Sequence, residues 1–158
     1  MSMCMIIRSG PPDELSALLR APDAMFGDAT QDEALLDIDQ SWHILHFLFS
    51  GAEWEGRPPA DTLVAGGQEV GEEYGYGPGR LVSTEETVAF ARFLDSLSLE
   101  ELRRRIDCEE MERLNIYGVG AWDGADGVME YISQFFLDLK TYVAAAAARR
   151  QGLAIWLI

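Results

Sequence analysis

The spacing of apolar residues changes several times along this chain, and each change marks an expected element. Met3 to Ile7 is a short apolar run cut off by Ser9-Gly10-Pro11-Pro12, the pattern of a buried strand. Pro12-Asp13-Glu14 opens a helix that buries Leu15, Leu18 and Leu19 and stops at Pro22. Residues 23–35 are polar and carry no clear period. From Leu36 to Gly51 the apolar positions cover most of a helical circumference, through Ile38, Trp42, Leu45 and Phe49 on one side and Ile44, Phe47 and Leu48 beside them. Asp37 and Gln40 have the spacing of a capping box for that helix, and Gly51 is its expected stop.

The middle, Ala52 to Gly79, is rich in glycine and proline and is expected to cross the surface with little regular structure; Leu81-Val82 suits a short strand. Capping boxes follow at Ser83/Glu86 and Ser98/Glu101, with a weaker version at Asp107/Glu110. They open three helical segments, which bury Val88, Phe90, Ala91, Leu94, Leu97, Leu102 and Ile106. From Asp126 to Arg150 an apolar stripe of Val128, Ile132, Phe135, Leu139, Tyr142 and Ala146 predicts one long helix ended by Gly152. Leu153 to Ile158 is an uninterrupted apolar run, read as a strand. With a strand at each end joining one small sheet and helices packed against it, the fold class is α+β and the chain a single domain.

Composition narrows the function classes. Twelve basic against 27 acidic residues leave a net charge of −15 and a pI near 4.3. Such a surface repels nucleic-acid backbones and anionic lipid and suits a basic protein partner. No apolar run reaches membrane-span length and no secretory signal is visible, so a cytoplasmic location is expected. Cys4 and Cys108 make no disulfide framework and have no metal-ligand spacing.

Two segments carry candidate chemistry. Asp39, His43, His46 and Ser50 recur at helical spacing as a polar stripe on an apolar helix; it reads as a metal half-site, an acid–base pair, or a set of internal structural bonds, the last being the commoner arrangement. Gly66 to Leu94 gathers six glycines, several carboxylates, Tyr74, Tyr76 and Arg80 ahead of a capped helix. It lacks the Gly-Lys-Ser/Thr ending of a phosphate loop, and Glu72 and Glu73 would repel phosphate. Arg80 can anchor an anion or pair with Glu69, Glu72 or Glu73. Arg103-Arg104-Arg105 suits a helix C-terminus, and Trp122-Asp123 sits in a glycine-rich turn.

Leu36-Asp37-Ile38-Asp39, Trp42, Leu45, His46 and Gly51, together with Gly66-Gly67, Gly71, Gly75-Tyr76-Gly77, Arg80-Leu81 and Ile116-Tyr117, resemble the signature of the YfbM-like family over nearly the whole chain. That resemblance implies a compact α+β fold in a bacterial family of unknown function, with no activity, cofactor or catalytic residue to carry over.

Two functions follow as expectations. The first is an acidic interaction module for a basic protein, immunity-like in character. The second is a small-molecule-binding protein or enzyme with a pocket between the helix at 37–50 and the glycine-rich segment at 66–80. Its candidate residues are Asp39, Trp42, His46, Glu72, Glu73, Tyr74, Tyr76 and Arg80; no metal or other cofactor is assigned.

Overall fold

Strand β5 (Gly152–Leu157) is the centre of the molecule. The computed structural model describes residues 2–26 and 35–158, so most of the polar segment 23–35 lies outside the described residues. β5 runs antiparallel to β1 (Met5–Gly10) on one side and to β4 (Pro78–Val82) on the other. Beyond them lie β2 (Leu35–Asp37) and β3 (Gln68–Glu73), giving the order β2-β1-β5-β4-β3. Ile7 faces Ile155 in the ladder, and the pairing continues past both strands, where the Cys4 and Ile158 backbones exchange hydrogen bonds of 2.7 and 2.9 Å. Both terminal strands expected from the sequence are therefore in one sheet, and the fold is α+β.

Strand geometry sends alternate side chains to opposite faces. Leu153 and Ile155 join Met5, Ile7 and Val82 in the main core. Ala154 and Trp156 join Leu15 and Leu19 of α1 (Pro12–Arg20) in a smaller core on the other face. A sheet covered on both faces needs apolar residues at every position, which is why β5 reads as one continuous run.

The main face is covered by α3 (Trp42–Ser50), α5 (Thr84–Asp95) and α8 (Gly124–Ala148), with α6 (Leu99–Arg105) and α7 (Cys108–Arg113) closing one end. A four-residue helix, α2 (Asp23–Phe26), follows α1, and another, α4 (Thr62–Ala65), follows the segment 52–61. The capping box of α5 is complete: Ser83 Oγ accepts from the Glu86 N–H, and Glu86 Oε1 accepts from the Ser83 N–H. Ser98 and Asp107 cap α6 and α7 from the N-cap side only.

Three expectations need correction. The helix expected from Leu36 begins only at Trp42, because Leu35–Asp37 pairs with β1 and Asp39 takes a left-handed φ of +51°. Asp37 caps no helix; its Oδ1 accepts the Asp39 N–H at 2.7 Å. The segment Ala52–Gly79 is more regular than expected, since it contains α4, β3 and the start of β4. On α8 the buried stripe is Val128, Ile132, Phe136, Leu139, Val143 and Ala146, rotated from the expected one at Phe135 and Tyr142. Tyr142 is half-buried because its hydroxyl accepts the Ser9 N–H at 2.7 Å.

The glycines of the hairpin β3–β4 answer to packing. Gly71 has a φ of +84°, and a Cβ there would meet the Leu19 carbonyl oxygen at 2.4 Å. A Cβ on Gly79 would meet Leu19 Cδ2 at 2.4 Å. The hairpin lies so close under α1 that side chains at these positions have no room.

Candidate functional site

Helix α3 is buried along its length, so every polar side chain on it must find a partner inside the protein. His43 finds two. Its Nε2 lies 2.9 Å from the Glu53 carbonyl, and its Nδ1 lies 2.8 Å from the Tyr117 N–H. The backbone N–H donates to Nδ1, so Nε2 carries the proton and donates to Glu53; the ring is neutral. Burial lowers its pKa below the ordinary histidine value, with the Glu53 carbonyl opposing in part. The ring is stacked against Trp42 at 4.9 Å and against Trp54 at 4.4 Å between centroids.

His46 is fully buried one turn further on. Its Nε2 is 3.2 Å from Ser50 Oγ, and that hydroxyl also donates to the His46 carbonyl at 2.8 Å. Nδ1 makes no hydrogen bond of ordinary geometry, although the nearby Glu55 backbone favours the protonated ring. Burial dominates, helped by His43 and Arg80, and lowers the pKa to about 4. A ring in this position is a neutral core group at neutral pH.

Asp39 belongs to a different cluster. Its Oδ2 accepts the Tyr131 hydroxyl at 2.7 Å, and its Oδ1 accepts the Cys4 thiol at 3.3 Å. Burial and the facing carboxylate push the Cys4 thiol up to about 11 and raise Tyr131 as well. A thiol held protonated is a poor nucleophile, so the cluster fixes the unusual backbone at Asp39 and does not activate Cys4. Trp122 stacks on Tyr131 at 4.2 Å, which places the Trp122 turn beside this cluster.

Arg80 is anchored within the protein. Its Nη1 donates to the Thr62 carbonyl at 3.0 Å and to the Gly66 carbonyl at 2.6 Å, and its Nη2 donates to the Leu63 carbonyl. These carbonyls belong to α4 and the residue after it, so Arg80 caps the negative end of a helix too short to hold itself. Burial lowers the guanidinium pKa to about 10, while Glu69 and Asp61 favour its charge. Arg105 does the same for α3, donating to the Leu48 carbonyl at 2.9 Å.

A cavity of about 390 Å³ opens between the start of α3, α4, the hairpin turn and the ends of β1 and β5. Trp42, Tyr76 and Arg80 line it, three of the residues expected at a pocket in this place, together with Glu69, Trp54, Met3 and Leu157. The other candidates lie elsewhere. His46 and Asp39 do not line the cavity, Glu72 and Glu73 are exposed on edge strand β3, and Tyr74 packs on the smaller core. Trp54 belongs to none of the motifs that the sequence shows. The available signal was a tryptophan in an otherwise polar, glycine- and proline-rich segment. Among the described residues no group of three or more His, Cys, Asp or Glu side chains is placed to hold a metal ion.

Residues 1–156 match the family model of a domain of unknown function, DUF1877. The chain belongs to this family. The DUF1877 chain is also similar to a solved structure, a protein of unknown function, YfbM from Escherichia coli. Identity is 19%, the TM-score is 0.70, and the match covers 99% of this chain and 100% of that one. At that identity the likeness shows a shared fold. No curated protein sequence matches the chain significantly. No helix among the described residues is long and apolar enough to cross a membrane.

Proposed function

We propose that this DUF1877 domain is an interaction module that holds a basic protein partner through the cavity beside Trp54. One observation carries the reading. Of the four exposed large hydrophobic side chains among the described residues, two, Trp54 at 51% and Tyr76 at 44%, line the same cavity. Exposed aromatic rings around a concave site are the anchors that protein interfaces use, and an acidic surface steers a basic partner toward them. Of the sequence's acid–base candidates, His46 and Asp39 are bonded elsewhere, and Glu69 is the carboxylate that lines the cavity. This favours recognition over catalysis.

Affinity capture at low and high salt, followed by titration of the purified captured protein against wild type and Trp54→Ala, tests the reading. The expected result is a basic partner whose affinity falls steeply with salt and falls again in the variant. Capture of nothing specific at either salt, or a partner indifferent to Trp54, would sink it.

A further inference from the structure

The walls of the cavity narrow the chemistry of what enters. Trp54 presents an exposed indole whose far side is stacked on His43. Because His43 Nδ1 accepts a backbone N–H, the ring behind the indole is neutral and does not compete with a cation in front of it. Tyr76 supplies a second exposed aromatic surface, and Glu69 supplies a carboxylate. Arg80 keeps its charge but aims its N–H groups at three backbone carbonyls, with the Glu69 and Asp61 carboxylates favouring that charge. The volume, near the lower end of the range of about 300–1,000 Å³ for ligand pockets, suits one side chain better than a large cofactor.

From these features we infer that the cavity receives the guanidinium of a partner's arginine, laid against Trp54 and Tyr76 and paired with Glu69; this rests on the interaction reading above. Two properties favour arginine over lysine. A guanidinium is planar, so it stacks on an exposed indole, and its forked N–H groups match both oxygens of a carboxylate. An ammonium is a strongly hydrated point charge that does neither as well. The −15 charge of the chain favours entry of either cation and disfavours an anion.

Capped tripeptides Gly-X-Gly, with X as arginine, lysine or citrulline, are titrated into the full chain while indole resonances are followed by NMR. Citrulline keeps the shape of arginine without its charge. The expected result is saturable binding of the arginine peptide that shifts the Trp54 indole, with citrulline weaker by about tenfold or more and lysine also weaker. Glu69→Gln and Trp54→Ala should each weaken arginine binding by about tenfold, and Trp122→Ala, an exposed tryptophan outside the cavity, should leave it unchanged. Circular dichroism confirms that each variant is folded. Equal binding of citrulline, equal or tighter binding of lysine, or no saturable arginine binding at millimolar concentration would overturn the inference. If a captured partner still depends on Trp54 while the peptides fail, the interaction reading stands and the arginine assignment falls. If the arginine peptide binds but no partner depends on Trp54, the reverse holds.

Discussion

Helix α3 and the exposed rim formed by Trp54 and the β3–β4 turn meet at one cavity, and they treat their side chains in opposite ways. On α3, His43 has both ring nitrogens bonded to backbone and His46 is sealed in the core. On the rim, Trp54 and Tyr76 leave roughly half of their surface to solvent. The residue types most often suspected of chemistry are the ones consumed by the fold, whereas two aromatic side chains are left available. A polar group with saturated bonds holds a wall in place. An exposed ring next to a concave site is free to meet another molecule.

The comparison can be broken first at the floor of the cavity, which belongs to the buried side. Truncation after Gly152 removes Leu153, Ala154, Ile155, Trp156, Leu157 and Ile158, the centre of the sheet. Large buried apolar side chains contribute about 1.5–3 kcal/mol each, so the loss approaches or exceeds a typical net stability of about 5–15 kcal/mol. The truncated chain should show no cooperative melting transition; a soluble protein with unchanged melting temperature would make β5 peripheral.

Arg80→Ala comes next. It strands the Leu63 and Gly66 carbonyls, leaves the Thr62 carbonyl with only the Gly66 N–H, and should cost about 3 kcal/mol, read by denaturant unfolding. A cost below about 1 kcal/mol would mean that Arg80 is available to a ligand and that the buried side of the comparison does not include it.

His46 makes the buried side sensitive to acid. The unfolded chain takes up its proton near the ordinary value of 6.5, and the folded chain resists until about 4. Between these values the unfolded state holds more protons, so stability is full above pH 6.5 and falls as pH drops toward 4. The whole shift is worth at most about 3 kcal/mol. His46→Gln should lose less stability than wild type between pH 7 and pH 4.5; identical pH profiles would place the acid sensitivity elsewhere.

The smallest effect is expected on the rim. Trp54→Ala loses a stacked contact with His43 and should cost about 1 kcal/mol or less, while partner binding collapses. A loss above about 2 kcal/mol would make Trp54 a packing residue and erase the contrast.

How far the sequence foretold this arrangement depends on how many faces each element buries. β5 was legible because both of its faces are covered and its sequence is apolar throughout. β3, Gln-Glu-Val-Gly-Glu-Glu, is an edge strand with most side chains in solvent, so it carries no alternation to read. The acids that hid it also blunt that edge against pairing with another chain. Asp37 and Gln40 satisfy the spacing of a capping box, but strand pairing to Ile6 and the left-handed turn at Asp39 win locally. On α8, two apolar stripes fit a helical period, and only tertiary contacts choose the one through Phe136 and Val143. Trp42, Tyr76 and Arg80 converge because the start of α3, the β3–β4 turn and β4 meet over the ends of β1 and β5, a fact of topology that no local pattern contains.

The exchange of backbone hydrogen bonds between Cys4 and Ile158 has a practical corollary. Met3 and Leu157, neighbours of that pair, are walls of the cavity. Anything joined to the chain ahead of Ser2 or after Ile158, whether a purification tag, a linker or a further domain, leaves the protein beside the cavity mouth. Such an appendage can act as a gatekeeper or a competitor, so a tag at either end belongs among the variables of any binding assay.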